Sequence, residues 1–213
     1  MTGSNTKSAS SAWKREQMKI VFQYALMLIA SWVLGWILPR FLGDSLWQEA
    51  ERAISTHFTL PFAELKSLKE LLAVTYRFCL PVLICTAIVC IFSFSSLSCL
   101  VTDGVLVYLG ARTGCTVSML YTFSRSTPSL SYQAPPLTFF LFLLCKLLLL
   151  VFFFIYSVRM AKYAYRLRFY SQEGRTLFHP HTVWSLLAQT LLCMLVMFMI
   201  HLLYGCSIYL VSK

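Results

Sequence analysis

Recurrent runs of apolar residues, each about twenty residues long, are the feature that most limits what this chain can fold into. A helix of about twenty apolar residues spans the hydrocarbon core of a bilayer. Apolar residues make up 58% of the chain and charged residues 12%, which is typical of membrane proteins. The sequence therefore predicts an all-α fold, a polytopic membrane helix bundle of about five transmembrane helices with short interfacial helices. The predicted spans are residues 20–38, 78–97, 104–123, 137–157 and 182–207.

The basic residues predict which side of the membrane each connection occupies. Residues 1–19 hold four Lys or Arg against one acid, and residues 158–181 hold five against one. Basic loops stay in the cytoplasm, so both segments should lie there. The connections 39–77 and 124–136 have no such excess, and we expect them and the C-terminus outside the cell membrane. The net charge of +10 is explained by basic residues that set the orientation in the membrane and contact anionic lipids. Nucleic acid is therefore not an expected partner.

The polar segments predict how the rest of the chain is organised. Residues 1–19 are too polar to build a core and should form a disordered basic cytoplasmic tail before a single transmembrane domain over residues 20–213. In the external segment 39–77, Ser45 and Gln48 have the spacing of a capping box before apolar residues on one helical face. We expect this amphipathic segment to lie on the membrane surface or to dock an external partner.

Three charged residues in or beside the apolar runs are the first candidates for function: Asp103, Arg112 and Lys146. A charge at membrane depth costs about 2.5 kcal/mol or more, so each needs a partner, a cavity or solvent. Asp103 is at the end of a run, where water can solvate it. Lys146 is about 15 Å from either end of its run and should face the bundle. We expect it either to pair with Asp103 or to line a polar cleft with Arg112, Thr116 and Ser118.

The third run also contains Gly110 and Gly114, a Gly-x-x-x-Gly spacing that places two positions without side chains on one helix face. Such a face lets another helix approach closely, so these glycines are the predicted helix-packing residues. Arg112 points to roughly the opposite side, toward a second neighbour or a cavity.

After the fourth run, basic residues recur at helical spacing and alternate with tyrosines. These residues are Arg159, Lys162, Arg166 and Arg168. A basic helix of this kind suits anionic lipid headgroups, which is the first interpretation of the arm 158–181. The alternative is a docking arm for a cytoplasmic partner such as an ATPase.

The sequence has no signature of catalysis, cofactor binding or metal binding. It lacks nucleophile-elbow, zinc-protease and phosphate-loop motifs, and it has no pair of intramembrane carboxylates. The eight cysteines have no C-x-x-C spacing, and His179 and His181 have no third ligand nearby. We therefore expect no enzyme activity, no catalytic residue, no cofactor and no metal.

The order of segments is a tail, a span, an external amphipathic segment, a close pair of spans, a fourth span, a basic arm and a last span. Residues 92–114 read as an apolar helix, a polar hinge and a glycine-containing helix, followed later by the Tyr/Arg-rich arm 157–170. This layout resembles the stage II sporulation protein M family of bacterial membrane proteins. Asp103-Gly104 stands in place of the family's lysine-glycine hinge, and His201 lies where the family often has an acidic residue.

The resemblance implies a non-enzymatic membrane scaffold that positions cell-wall hydrolases during engulfment in sporulation. Two other functions remain open. A permease subunit, with or without an ATPase, would use the basic arm for coupling, and a lipid-binding or lipid-translocating protein would use Arg112 and Lys146 as a headgroup site. A scaffold should need the external segment and tolerate changes at Arg112, whereas a permease or lipid carrier should fail when Arg112 or Lys146 becomes apolar.

Overall fold

The chain folds into a bundle of long helices. The computed structural model describes residues 4–41, 43, 67–95, 97–126, 136–172 and 180–211, and all regular structure in these ranges is helical. The helices are α1 (Ser4–Ile37, followed by a 3-10 turn at Leu38–Phe41), α2 (Leu68–Phe92), α3 (Ser98–Ser126), α4 (Pro136–Gln172) and α5 (Pro180–Val211). The predicted all-α membrane helix bundle is confirmed.

Within the described residues, four helical stretches are long and apolar enough to cross a bilayer. They are Met18–Phe41, Leu68–Phe92, Phe139–Tyr165 and Val183–Ser207, in α1, α2, α4 and α5. The chain is therefore a multi-pass membrane protein. The helix α3 has 29 residues, but Arg112 and several glycine, serine and threonine residues lower its hydropathy. That α3 also crosses the membrane stays a prediction.

Helices α1 and α3 run parallel to each other. Tyr24 on α1 lies beside Thr102, near the start of α3. Further along both helices, the rings of Trp36 and Tyr121 are 5.9 Å apart. The two helices share the most extensive contact in the bundle.

The other helices alternate in direction. Only five residues separate the end of α2 at Phe92 from the start of α3 at Ser98, and this connection is too short to join the two helices in any but an antiparallel way. Helix α4 is parallel to α2, because Tyr156 bonds Thr86 while Cys145 lies near Cys79. Helix α5 is antiparallel to α4. Tyr156 contacts Thr190 in the first half of α5, whereas Phe142, which lies earlier on α4, packs against Tyr204 near the end of α5. Chain direction thus alternates through the five helices, and the start of α1 and the end of α5 lie at opposite ends of the bundle.

A buried hydroxyl cluster joins three of these helices. The Tyr156 hydroxyl on α4 donates to the Thr86 carbonyl oxygen on α2 at 3.2 Å and lies 3.1 Å from Thr190 Oγ1 on α5. Thr190 in turn donates to the Leu186 carbonyl of its own helix. Buried polar groups are costly unless they are paired, so this cluster fixes the register of the three helices.

Tyr156→Phe is expected to lower the free energy of unfolding by about 1 kcal/mol, because a buried hydrogen bond between helices is lost without a change in shape. The measurement is unfolding of the purified protein in mixed micelles with a rising fraction of a denaturing detergent. Tyr76→Phe, at an exposed tyrosine of α2, is the control and should leave the midpoint unchanged. Equal midpoints for Tyr156→Phe and wild type would contradict the role of the cluster.

The disordered tail predicted for residues 1–19 is wrong for the part of it that the structure describes. Residues 4–19 were expected to form a disordered tail, whereas α1 begins at Ser4 and runs without a break into the apolar run. A helix nucleated by apolar residues extends at little cost through the Ala, Lys, Arg, Glu, Gln and Met of residues 12–19, and it continues through residues 4–11 although the Ser, Asn and Thr there are weaker helix formers.

The predicted limits of the second and fourth spans also change. Helix α2 begins ten residues before the predicted span, where Ser67 Oγ accepts a hydrogen bond from the Glu70 amide at 3.3 Å and caps the helix. Helix α4 continues past the predicted end at residue 157 and includes the first part of the basic arm. The predicted interfacial helix after Ser45 lies outside the described residues.

Candidate functional site

The functional region is built around α3, which has a small-residue face on one side and a charged face on the other. On the small-residue face, Gly110 packs against Ser31 and Leu28 of α1, and Gly114 packs against the backbone of Trp32 and Trp36. A Cβ atom at Gly114 would fall inside van der Waals distance of the Trp32 carbonyl oxygen. The two predicted packing glycines therefore lie where the helices approach most closely.

Helix α1 contributes a matching glycine that the sequence reasoning missed. A Cβ atom at Gly35 would overlap the carbonyl oxygen and Cα of Ala111 on α3. Ser31 and Gly35 have the same spacing of small residues as Gly110 and Gly114, and this repeat in the first apolar run is the signal that marks the partner face. We call these four residues and Ala111 the α1–α3 seam.

The charged face of α3 lines a cavity, as the sequence predicted for Arg112. The cavity measures about 40 Å³ and lies between α2, α3 and α4. Its polar wall is formed by Arg112, Thr113 and Thr116 of α3 and by Lys146 of α4. Its apolar wall includes Phe78, Val82, Leu109, Leu149, Leu150 and Phe153. We call this cavity the cationic cleft.

Lys146 is half-buried in the cleft, with its ammonium nitrogen 5.3 Å from the centre of the Phe142 ring, one helical turn earlier on α4. A lysine over an aromatic face gains a cation–π attraction of about 0.5 to 2 kcal/mol. Arg112 lies close enough for the two positive charges to repel each other. Since each intramembrane cation costs about 2.5 kcal/mol or more, the aromatic ring offsets only part of the cost.

Arg112 is more exposed than Lys146 and reaches the outer side of the bundle. Its guanidinium donates to the Tyr108 hydroxyl at 3.3 Å, one turn earlier on α3. The Thr116 hydroxyl donates to the Arg112 carbonyl oxygen at 2.8 Å. The cleft is therefore open to the surroundings on the Arg112 side and closed by apolar side chains on the other.

The third candidate, Asp103, lies far from the cleft. It is half-buried, nine residues before Arg112 on α3, which is about 13 Å along the helix axis. Its neighbours are Tyr24 and Thr102, and its Oδ1 atom is buried without a hydrogen-bond partner among the described residues. Of the two settings predicted for Lys146, the structure shows the cleft and not the pair with Asp103.

One member of the predicted cleft is replaced by another. Ser118 is buried but does not line the cavity, whereas Thr113, which was not predicted, does. Residues three or four apart share a helix face, so Thr116 falls beside Arg112 and Thr113, while Ser118 turns toward the glycine side. Phe142 was also missed, although its spacing of four residues from Lys146 is the pattern of a helical cation–aromatic pair.

A buried histidine lies near the cleft on α5. His201 is 3% exposed, and its Nδ1 atom is 3.0 Å from the Met197 carbonyl oxygen, as expected for a histidine inside a span. This contact requires the proton on Nδ1, so the neutral ring presents Nε2 as an acceptor. Nε2 is buried and has no partner among the described residues.

The basic arm is a direct extension of α4. Arg159 is exposed and Lys162 is half-buried, and both belong to the apolar stretch that ends at Tyr165. Of Arg166 and Arg168, the structure describes the helical backbone alone. The arm therefore continues the α4 axis for at least one turn beyond the apolar stretch, which places its charges where α4 leaves the membrane.

No known protein family, curated protein or solved structure matches this chain. Its function is therefore argued from the α1–α3 seam, the cationic cleft and the sequence pattern. Among the described residues, no three His, Cys, Asp or Glu side chains stand close enough together to hold a metal ion.

Proposed function

We propose that the chain is a non-enzymatic membrane scaffold, the role implied by its resemblance to the stage II sporulation protein M family. In this role it holds cell-wall-remodelling proteins in position during engulfment in sporulation. The external segment 39–77 contacts these partners, and the helix bundle anchors that segment at the membrane.

The α1–α3 seam is the observation that carries the proposal. Gly35 and Gly114 bring backbone against backbone, so α1 and α3 cannot slide or rotate without a steric clash. The buried bond from Tyr156 to Thr86 ties α4 to α2 in the same way. A body fixed at two such places suits a protein that positions others better than one that must alternate between conformations.

The proposed orientation follows from the basic segments at the two ends of the bundle. The start of α1 and the far end of α4 are both basic and lie on the same side, because α1 and α4 run in opposite directions. Under the positive-inside rule this side is the cytoplasm. The N-terminus is then cytoplasmic, the segment 39–77 is external, and the C-terminus is external.

The test is crosslinking in cells at the stage when the protein is expressed, followed by purification in mild detergent and identification of the bound proteins by mass spectrometry. The expected partners are cell-wall hydrolases. Exchange of Leu46, Trp47 and Ile54 for aspartate should abolish their recovery, because it removes the apolar face of the external segment. Serine substitutions at the positions among residues 5–12 that are not already serine are the control and should not change recovery.

A different result would change the function. Recovery of a nucleotide-binding protein, lost when Arg166 and Arg168 are changed to glutamate, would make the chain a permease subunit. Recovery of hydrolases that survives the aspartate exchange would contradict the assigned contact surface.

The cationic cleft favours a second candidate, a lipid-binding or lipid-translocating protein. Arg112 and Lys146 share one cavity that is open on the Arg112 side, which is the arrangement a headgroup would need. Complementation separates the two functions. A scaffold keeps its activity in cells when Arg112 becomes methionine, whereas a lipid carrier loses it.

A further inference from the structure

The cationic cleft contains two positive charges and, in the described part of the chain, no negative charge. Arg112 and Lys146 both line it, and none of the residues that line it is acidic. The polar contacts of Arg112 and Lys146 are a tyrosine hydroxyl and an aromatic ring, neither of which carries a charge. Intramembrane cations pair with acids, carbonyls or an anionic ligand, and an anion in the cleft would balance the charges of both side chains.

The chemical groups of the cleft match a phosphate. The Arg112 guanidinium offers a planar fork of donors, the Lys146 ammonium a point charge, and the Thr113 hydroxyl a further donor. The cavity of about 40 Å³ has room for about three water molecules at the volume that one water needs, so it can hold a compact polar group of a few heavy atoms.

The position of the cleft favours an amphiphilic ligand. At the level of Arg112, α3 packs against residues 32–36 of α1, in the half of the apolar stretch that ends at Phe41. Lys146 likewise lies in the half of its stretch that begins at Phe139, at the same end of the bundle. The apolar wall, with Phe78 and Leu150, continues from this charged corner and suits an acyl chain.

From these observations we infer that the cationic cleft binds a phosphate group inside the membrane, held by Arg112, Lys146 and Thr113. The exposed side of Arg112 admits it from the leaflet nearer to Phe41 and residue 126. Basic pockets between transmembrane helices bind anionic lipid headgroups on the cytoplasmic side of membranes, and in the orientation proposed above this cleft lies in the external half of the bilayer. The ligand is the phosphate of an anionic lipid or free phosphate, and the experiment below separates these sources. This binding site does not depend on the scaffold role.

The first experiment uses the wild-type full chain, purified in detergent and stripped of lipid. Native mass spectrometry measures the binding of dioleoyl phosphatidylglycerol and of dioleoylglycerol, which has the same acyl chains without phosphate. Equilibrium dialysis measures the binding of radiolabelled inorganic phosphate. We expect phosphatidylglycerol to bind at least tenfold more tightly than dioleoylglycerol. Binding of inorganic phosphate without a preference between the two lipids would make free phosphate the ligand. If neither phosphate compound binds, the inference is overturned.

The second experiment uses variants of the cleft. Arg112→Met and Lys146→Met should each weaken phosphatidylglycerol binding at least tenfold, since each removes a charge that contacts the phosphate. Valine has nearly the same shape as threonine but lacks the hydroxyl group, so Thr113→Val should weaken binding several-fold. This variant keeps the test independent of whether the charge variants fold. Arg15→Met is the matched control, because Arg15 is an exposed cation of α1 outside the cleft, toward the opposite end of the bundle.

The outcomes are distinct. Loss of phosphate-dependent binding in the three cleft variants, with retention in Arg15→Met, supports the site. Equal binding by wild type and all monodisperse cleft variants overturns it, as does equal loss in Arg15→Met. Failure to recover cell-wall hydrolases would count against the scaffold and leave this binding result unchanged.

Discussion

Gly35→Ala is expected to lower the free energy of unfolding by about 3 kcal/mol or more, the upper range for an overpacked core. The added methyl group would overlap the carbonyl oxygen and the Cα atom of Ala111, so the backbone of α1 or α3 must move. A flexible side chain cannot relieve this contact by changing its rotamer. The measurement is the unfolding midpoint in mixed detergent micelles, together with the yield of monodisperse protein.

Two other glycines of the same chain serve as controls for this substitution. Gly104→Ala adds a methyl group to an exposed position of α3 with nothing within 4 Å, so it should be neutral or slightly stabilising because alanine is the better helix former. Gly110→Ala meets chiefly the Ser31 side chain and should have an intermediate effect. Equal stability of the Gly35 and Gly104 variants would refute the close contact in the α1–α3 seam.

Phe153→Ala is expected to lower the free energy of unfolding by about 3 to 5 kcal/mol, the usual cost of truncating a fully buried phenylalanine. The Phe153 side chain is 1% exposed, packs 6.2 Å from the Tyr156 ring and forms part of the apolar wall of the cationic cleft. Its removal leaves a cavity that the surrounding helices cannot fill without moving. The same detergent unfolding experiment measures the loss.

The adjacent residue provides the matched control. Phe152 has the same side chain on the same helix but is 39% exposed, so Phe152→Ala removes little packing and should cost less than about 1 kcal/mol. A similar loss for both variants would mean that α4 is rotated relative to the orientation described above. A loss confined to Phe153 supports both the helix orientation and the cleft wall.

The two predictions test different properties of the bundle. The glycine series tests how closely two backbones approach, and the phenylalanine pair tests which side of α4 is internal. Both properties determine the geometry of the cationic cleft. The α1–α3 seam turns Arg112 away from α1, and the orientation of α4 turns Lys146 toward the cleft. Either failure would therefore remove the geometric basis of the phosphate site.

The membrane class and the helical architecture could be predicted from the amino-acid sequence. In lipid, an apolar run of the required length satisfies its backbone hydrogen bonds by forming a helix. The apolar runs in α1, α2, α4 and α5 are helical in the described bundle. The spacing of Gly110 and Gly114 predicted a packing face, and the helical period placed Arg112 on the other side. These features depend on residues near one another in the sequence, which is why they were accessible.

Helix ends were less predictable. Residues 4–19 are polar, and their composition suggested disorder, but a helix that is already nucleated adds further residues at a much lower cost than it starts. In α4 the basic residues suggested a boundary at residue 157, yet the backbone hydrogen bonds of a helix continue from apolar into charged sequence without a penalty. Composition reports the environment of a segment more directly than its conformation.

Which charged residues share a site could not be predicted from the sequence, because it depends on how the helices pack. The sequence left two possible settings for Lys146, because its distance from Asp103 depends on how α4 packs against α3 and on the register of the two helices. Arg112, Thr113 and Lys146 line one cavity in the structure. Asp103 is about 13 Å from Arg112 along the axis of α3. Contacts between residues distant in the sequence depend on how whole helices pack, and a pattern within a single helix does not contain that information.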